Sequence, residues 1–334
     1  MTGHTRTEAT MSEDAHVAVT GAAGYIGSRV VADIRKTHPN WDVTAIDNFY
    51  LGDIREIGDV TVEHVDIRNR ERLEEALSGT DVVLHLAAVS GVDDCEEHAD
   101  LAYGVNVQGT NNVAWFCRKS GAALSFPFSM AVIGDPDGFP ITADVERDPL
   151  NWYGRTKVLG ERAVGTMAEG AFPAHQFMIS NLYGGHEVGV RQVSKGTVIN
   201  FFLNRALAGE SLTVYEPGDQ ARNFVHVRDV ARAFLRSAET LLEERAAGRT
   251  GSTAYEVATD EDPGVMSIAE LVRRICAEEG GPELDIELLE NPRDETLVGE
   301  FGVDTSRTRA ALGWEPEESM EATVRELLRA GLGA

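Results

Sequence analysis

Short runs rich in β-branched residues punctuate the first quarter of the chain: HVAVT (16–20), DVTAI (42–46), VTVEHV (60–65) and DVVLHL (81–86). The segments between them change to helical spacing, as in Ile26, Val30, Val31 and Ile34. Strands that alternate with helices predict an α/β fold built on a parallel, doubly wound sheet. Further strands are expected at ALSFPF (123–128), HQFMIS (175–180) and AYEVA (254–258). Pro127 lacks the ladder donor that a central strand uses, which places it near the end of its strand. After Asn181 the rhythm gives way to a glycine-rich loop, LYGGHEVGVRQVSKG, and a mixed segment to Arg222. The stretch 262–334 reads as helices around a short strand, LDIELL, and residues 1–14 as a disordered tail.

Composition narrows the class. The 334 residues are 43% hydrophobic, enough for a substantial core. No apolar run approaches the roughly 20 residues of a membrane helix, and the first residues lack a secretory apolar core, so a cytoplasmic protein is expected. Cys95, Cys117 and Cys276 are far apart and odd in number, a pattern of small buried hydrophobes; no metal site is expected. The 55 acidic residues outnumber the 30 basic ones, for a formal net charge of −25, which argues against a nucleic-acid partner. Only Lys36, Lys119, Lys157 and Lys195 are lysines. Such an acidic, lysine-poor chain suits a halophilic cytoplasm, where concentrated ions screen its self-repulsion.

Gly21, Gly24 and Gly27, in VTGAAGYIGS, follow the first strand and open the first helix. Glycines there let the chain turn tightly and let a pyrophosphate approach the helix amides without a Cβ in the way. The pattern alone also fits an ordinary strand-to-helix turn. Asp47 adds context: it ends the second strand 20 residues beyond Gly27, where a carboxylate accepts hydrogen bonds from an adenosine ribose and repels a 2′-phosphate, favouring NAD over NADP. An Asp-Asn turn is the plainer reading of Asp47 and does not explain the spacing.

In YGRTK, Tyr153 and Lys157 stand four apart and share a helix face. A tyrosine pKa of about 10 is high for a base at neutral pH, and the Lys157 ammonium together with the cationic nicotinamide ring would lower it. An exposed helix pair is the bland alternative. Ser129, in FSMAVIGD, ends the fifth strand, where its hydroxyl can hold a substrate oxygen against the tyrosine. Asn106, in NVQGTNN, is a candidate for fixing a helix bend or a water near Lys157, with plain capping equally open.

Ten ordered landmarks, TGAAGYIG, IDN, DIRN, LHLAA, NVQGT, FSMAVIGD, YGRTK, SNLYG, RNFVHVRDVARA and LGWEP, resemble the extended short-chain dehydrogenase/reductase superfamily, in its branch of nucleotide-sugar epimerases and dehydratases. The resemblance spans residues 16 to about 330 and implies a Rossmann-type NAD-binding domain at 15–180, with a return segment at about 223–258. A smaller mixed α/β substrate-binding domain is implied at 181–222 and 259–334. By this similarity Gly21, Gly24, Tyr25, Ile26, Gly27, Asp47, Asn48, Asp66, Ile67, Leu86, Ala87, Ala88 and Asn106 belong to the cofactor site, together with Tyr153 and Lys157. Ser129, Tyr153 and Lys157 resemble the catalytic trio. On the substrate side the likeness implies Ser129, Asn181, Tyr215, and two diphosphate-binding arginines, Arg222 and Arg293, whose planar fork suits phosphate. His226, Asp229 and Glu161 read as structural or solvated groups.

Dehydratases of this branch resemble a Thr-Asp-Glu or Thr-Ser-Glu pattern after the fifth strand, where this chain has Ser129, Met130 and Ala131. The likeness is therefore to 4-epimerases, working on a UDP-sugar through a transient 4-keto intermediate. Two other readings stay open: an NAD-dependent sugar or small-alcohol dehydrogenase, and a non-catalytic NAD-binding sensor. Val132-Ile133-Gly134, Met178 and YEPGDQ depart from the family's usual residues, and all touch the substrate side. The resemblance further implies a homodimer through the helices near 106–118 and 153–164, for which Trp115, Phe116 and Val158 are apolar candidates, with core packing as the alternative.

Overall fold

The structure is a computed structural model that describes residues 14–291 and 298–333. Its centre is an eight-stranded sheet of β1 (His16–Thr20), β2 (Asp42–Asp47), β3 (Glu56–Ile57), β4 (Val60–His64), β5 (Val82–His85), β6 (Ala123–Ser129), β7 (Pro173–Ile179) and β8 (Gly251–Val257). The spatial order is β8-β7-β6-β5-β1-β2-β4-β3. All neighbours are parallel except the β3–β4 hairpin at the edge. The expected strands are all present, and the chain reverses its direction of winding between β1 and β5. A crevice opens at such a switch point, beyond the carboxyl ends of the strands.

Helices cover both faces. On one lie α1 (Gly27–Thr37) and a long helix at Val227–Ala246, whose Val30, Val31, Ile34, Phe234 and Leu241 are buried against Val17, Val19, Val82 and Leu84. On the other, α2 (Arg70–Ala76), α3 (Thr110–Ser120) and α4 (Trp152–Ala168) bury Leu73, Val113, Phe116, Val158 and Val164 against Leu124, Phe126 and Met178. A sheet apolar on both faces accounts for the unbroken β-branched runs. Phe116 and Val158, 6% and 7% exposed, are thus core residues, whereas Trp115 is 39% exposed.

Pro127 lies inside β6, two residues past the last pair with β5, Leu84 with Ser125, while pairing with β7 continues to Ser129 with Ile179. The missing donor therefore removes no bond to β5, and the tolerance for proline follows from the shortness of β5. A third core joins Tyr183, Phe202, Leu212 and Phe224 to Ile268, Val272, Ile275 and Leu328. Around it the strand Ile286–Leu289 pairs in parallel with Leu212–Tyr215, and Asn181–Tyr183 with Phe224–His226. The tail expected at residues 1–14 lies outside the described residues apart from Asp14.

Candidate active site

A cleft of about 1380 Å³ runs along the carboxyl ends of the sheet. That is more than the upper range of about 1,000 Å³ for a single small-ligand site, and room for a dinucleotide and a second ligand. Gly21, Gly24, Tyr25, Ile26, Gly27, Asp47, Asn48, Ile67, Leu86, Ala87 and Ala88 line it. Gly21 has φ +70°, and a Cβ on it would sit 2.6 Å from the Ala87 nitrogen; one on Gly27 would sit 2.1 Å from the Gly21 oxygen. The turn is therefore compressed against the end of β5 in a way only glycine permits. The first turn of α1 has no side-chain cap and no acidic residue, which leaves its amide dipoles turned toward the cleft.

Asp47 holds this loop from β2. Its Oδ2 accepts from the Ala23 amide at 3.0 Å and its Oδ1 from the Phe49 amide at 2.7 Å, while burial raises its pKa. Asp47 thus forms the turn and also stands at the cleft. Tyr25 lines the cleft but spends its hydroxyl on the carbonyls of Tyr183 and Gly184, at 2.9 and 2.7 Å. Asp66 already has partners on its own side of the cleft. Its carboxylate is engaged by Arg68 at 2.6 Å and by Asn48 at 3.3 Å, and Arg68 holds its pKa down at about 2. Only its neighbours Val65 and Ile67 line the cleft.

Ser129, Tyr153 and Lys157 meet at the cleft wall, as the spacing of YGRTK and the end of β6 predict. The Asn151 side chain caps α4 by accepting from the Gly154 amide at 2.9 Å, which starts the helix one residue before Tyr153. Ser129 caps the next short turn, its Oγ accepting from the Ala131 amide at 3.2 Å. Gly154 and Gly160 allow α4 to press onto β6 and the Met130–Val132 turn that follows it. A Cβ on Gly154 would lie 2.4 Å from the Ala131 oxygen and one on Gly160 would lie 2.9 Å from Phe126 Cζ. Neither glycine stands out in the sequence, although both fall on the helix that carries the YGRTK motif.

Burial dominates the electrostatics of this pair in the chain alone. In the chain alone burial pushes the Tyr153 phenol up to about 12, against a smaller lowering by the Ser129 hydroxyl. Lys157 is pushed down to about 8 by burial. Its Nζ donates to the Pro127 carbonyl at 3.4 Å and lies 5.9 Å from the Tyr153 ring centre. A low-dielectric pocket disfavours the phenolate more than one partly desolvated ammonium favours it.

Asn106 is buried beneath the cleft rather than lining it. It sits within a π-helical turn, Gly104–Gly109, an irregularity between two α-helical segments of the kind the helix-bend reading expects, and not at a helix cap. Its amide bonds the Val89 amide and carbonyl, both at 2.9 Å, and the Thr156 hydroxyl at 3.1 Å. The loop after β5 is thereby tied to α4, one residue before Lys157. From across the cleft, Lys195 donates to the carbonyl and hydroxyl of Ser90, at 3.1 and 2.7 Å. The scarcity of lysine was the one sequence signal that could have drawn attention to it.

On the far side Asn181, Tyr215 and Arg222 also line the cleft. Asn181 donates to the Asn223 carbonyl at 3.1 Å, and Arg222 to the Ala221 carbonyl at 2.8 Å. Arg293 lies outside the described residues. The groups read as structural are so: His226 accepts from the Arg228 amide at 3.1 Å, buried Asp229 accepts from the amides of Glu317 and Glu318, and Glu161 pairs with Arg147 at 2.6 Å. All three cysteines are free and buried. Among the described residues no group of acidic, histidine and cysteine side chains could hold a metal, and no helix is long and apolar enough to cross a membrane.

A doubly wound sheet with a glycine turn at its switch point and an aspartate at the end of the neighbouring strand β2 defines a Rossmann-type dinucleotide-binding protein. The chain matches the NAD dependent epimerase/dehydratase family over residues 17–253 and belongs to it, within the extended short-chain dehydrogenases/reductases, with NAD as cofactor. It is 26% identical over 341 residues to UDP-glucose 4-epimerase 3 of Oryza sativa subsp. japonica, covering 93% of this chain and 88% of that protein. It is 25% identical over 314 residues to UDP-glucuronic acid decarboxylase 3 of Arabidopsis thaliana, covering 90% and 84%. Among solved structures, the UDP-glucose 4-epimerase of Thermus thermophilus in complex with NAD superposes with a TM-score of 0.77 at 26% identity, over 96% of this chain and 99% of that one. The residues present fit the cofactor: the turn at Gly21 and Gly27 has no room for side chains, and Asp47 holds a carboxylate at the end of β2.

Proposed function

We propose that the protein is an NAD-dependent 4-epimerase of a nucleoside-diphosphate sugar, with a UDP-sugar as its substrate. The observation that carries this reading is the surroundings of Tyr153. Among the described residues the polar partner of its phenol is the Ser129 hydroxyl, and the turn that follows Ser129 carries Met130 and Ala131. Elimination of water calls for a second acid or base beside the tyrosine, and the turn Ser129-Met130-Ala131 supplies none.

In this reading Gly21, Gly24, Gly27 and the α1 amides hold the pyrophosphate, Asp47 holds the adenosine ribose, and Lys157 holds the nicotinamide ribose. NAD, when bound, supplies the hydride acceptor and donor. Ser129 aligns the sugar's 4-oxygen, and Tyr153 takes its proton as the carbon is oxidised, then returns it after the keto-sugar has turned over. Arg222 and Asn181 hold the diphosphate end during that rotation, and the residues around the third core form the substrate unit. The exposed Trp115 and Leu159, at 39% and 41%, give the α3–α4 face an apolar surface for a homodimer.

The test is incubation with UDP-glucose and with UDP-galactose. Interconversion without a lasting rise in NADH absorbance supports the epimerase. A rise that tracks product supports a net dehydrogenase and overturns it.

A further inference from the structure

Two of the four lysines are exposed or paired on the surface, Lys36 and Lys119, and the other two, Lys157 and Lys195, line the cleft. Lys157 belongs to the catalytic trio. Lys195 has no place in it, and it follows the hairpin of Gly185–Val188 and Arg191–Ser194 on the opposite wall. Its ammonium carries three donors, of which Ser90 accepts two.

In a chain with 55 acidic residues, a half-buried ammonium would be expected to find a carboxylate. Among the described residues none lies within ion-pair distance of Lys195. Asp94 acts on it only through its field, and burial holds its pKa below the usual lysine range. Desolvating a cation without an anion is costly, so the cleft keeps an unmet demand for negative charge at this point. The position is the reactive end: the charge of Lys195 is felt by Lys157 and by Cys95, and Ser90 directly follows Ala87, Ala88 and Val89 in the loop that Asn106 anchors. A ligand group that meets Lys195 is therefore on the sugar, not on the diphosphate near Arg222.

We propose that Lys195 makes the sugar end of the cleft selective for a nucleoside-diphosphate sugar that carries a carboxylate, paired with its free donor; this rests on the epimerase reading of the same cleft. A carboxylate completes the charge that burial leaves open, whereas a neutral hydroxymethyl group leaves the ammonium without a counterion. Ser90, by fixing the ammonium from two sides, sets the direction of the third donor and so the sugar orientation that is accepted.

The test measures equilibrium binding to the full chain loaded with NAD, by calorimetry, for UDP-glucuronic acid and UDP-glucose. A charge-assisted pair of this kind gives the uronate an advantage of at least about tenfold. In Lys195→Gln, which keeps donors for Ser90 and removes the charge, the ratio falls to about one; binding of UDP alone reports whether the nucleotide end of that variant is intact. Equal affinity for both sugars in the wild type, or an unchanged ratio in the variant, overturns the role of Lys195 and leaves the epimerase reading standing. If neither sugar binds, both readings are overturned.

Discussion

The Lys157 ammonium lies 5.9 Å from the centre of the Tyr153 ring, and its donor contact is the Pro127 carbonyl, not a carboxylate. Burial therefore acts on it almost unopposed, and its pKa falls from 10.5 to about 8. The unfolded chain holds this proton up to higher pH than the folded one. Stability thus carries the full cost of burying the charge below pH 8, and recovers it as pH rises from 8 toward 10.5. Lys157→Met should be inactive yet more stable than the wild type at pH 7, by about 3 kcal/mol at most, with the difference fading by pH 10.5. Urea unfolding at the two pH values measures both parts of this expectation.

Tyr153→Phe removes the proton acceptor and leaves the dinucleotide end untouched. Turnover should fall by roughly 10²- to 10⁴-fold with NAD content unchanged, as measured by nucleotide released on denaturation. Ser129→Ala should fall less, by about 10- to 100-fold, because it loses one hydrogen bond to the reacting oxygen.

Gly154→Ala places a methyl group 2.4 Å from the Ala131 oxygen and must push α4 off the Met130–Val132 turn that follows Ser129. The helix-propensity gain of about 1 kcal/mol is outweighed by strain of about 1–3 kcal/mol, and the distance between Tyr153 and Ser129 changes with it. Both the melting temperature and kcat should drop. Gly138→Ala is the control, since a Cβ there meets nothing within 4 Å.

What could be read in the sequence was local. The β-branched runs marked the strands because a sheet covered on both faces must be apolar on both, and Gly21, Gly27 and Asp47 were legible because turn and carboxylate lie in one β–α–β unit. Ser129, Tyr153 and Lys157 could be found through their motifs. Contacts between distant segments were not legible. Asn106 reaches Thr156 across 50 residues. Lys195 meets Ser90 across 105. Burial, which sets the state of Tyr153 and Lys157, is a property of the folded cleft and is not encoded in their four-residue spacing.

A net charge of −25 sets a salt dependence. Screening relieves self-repulsion and also weakens surface pairs such as Arg35 with Asp59 and Arg274 with Glu278. Such exposed pairs are each worth little, so the repulsion dominates. The melting temperature should climb from low salt to molar KCl, as scanning calorimetry would register; a flat response would remove the halophilic reading.

In the proposed reaction, hydride leaves the sugar's C4 and returns to the same carbon while Tyr153 handles only the proton. UDP-glucose carrying deuterium at C4 follows that hydride, by mass and NMR analysis of the UDP-galactose formed. The deuterium should stay at C4 of the product, with no NADH accumulating. Deuterium lost to water, or recovered in released NADH, would contradict the mechanism.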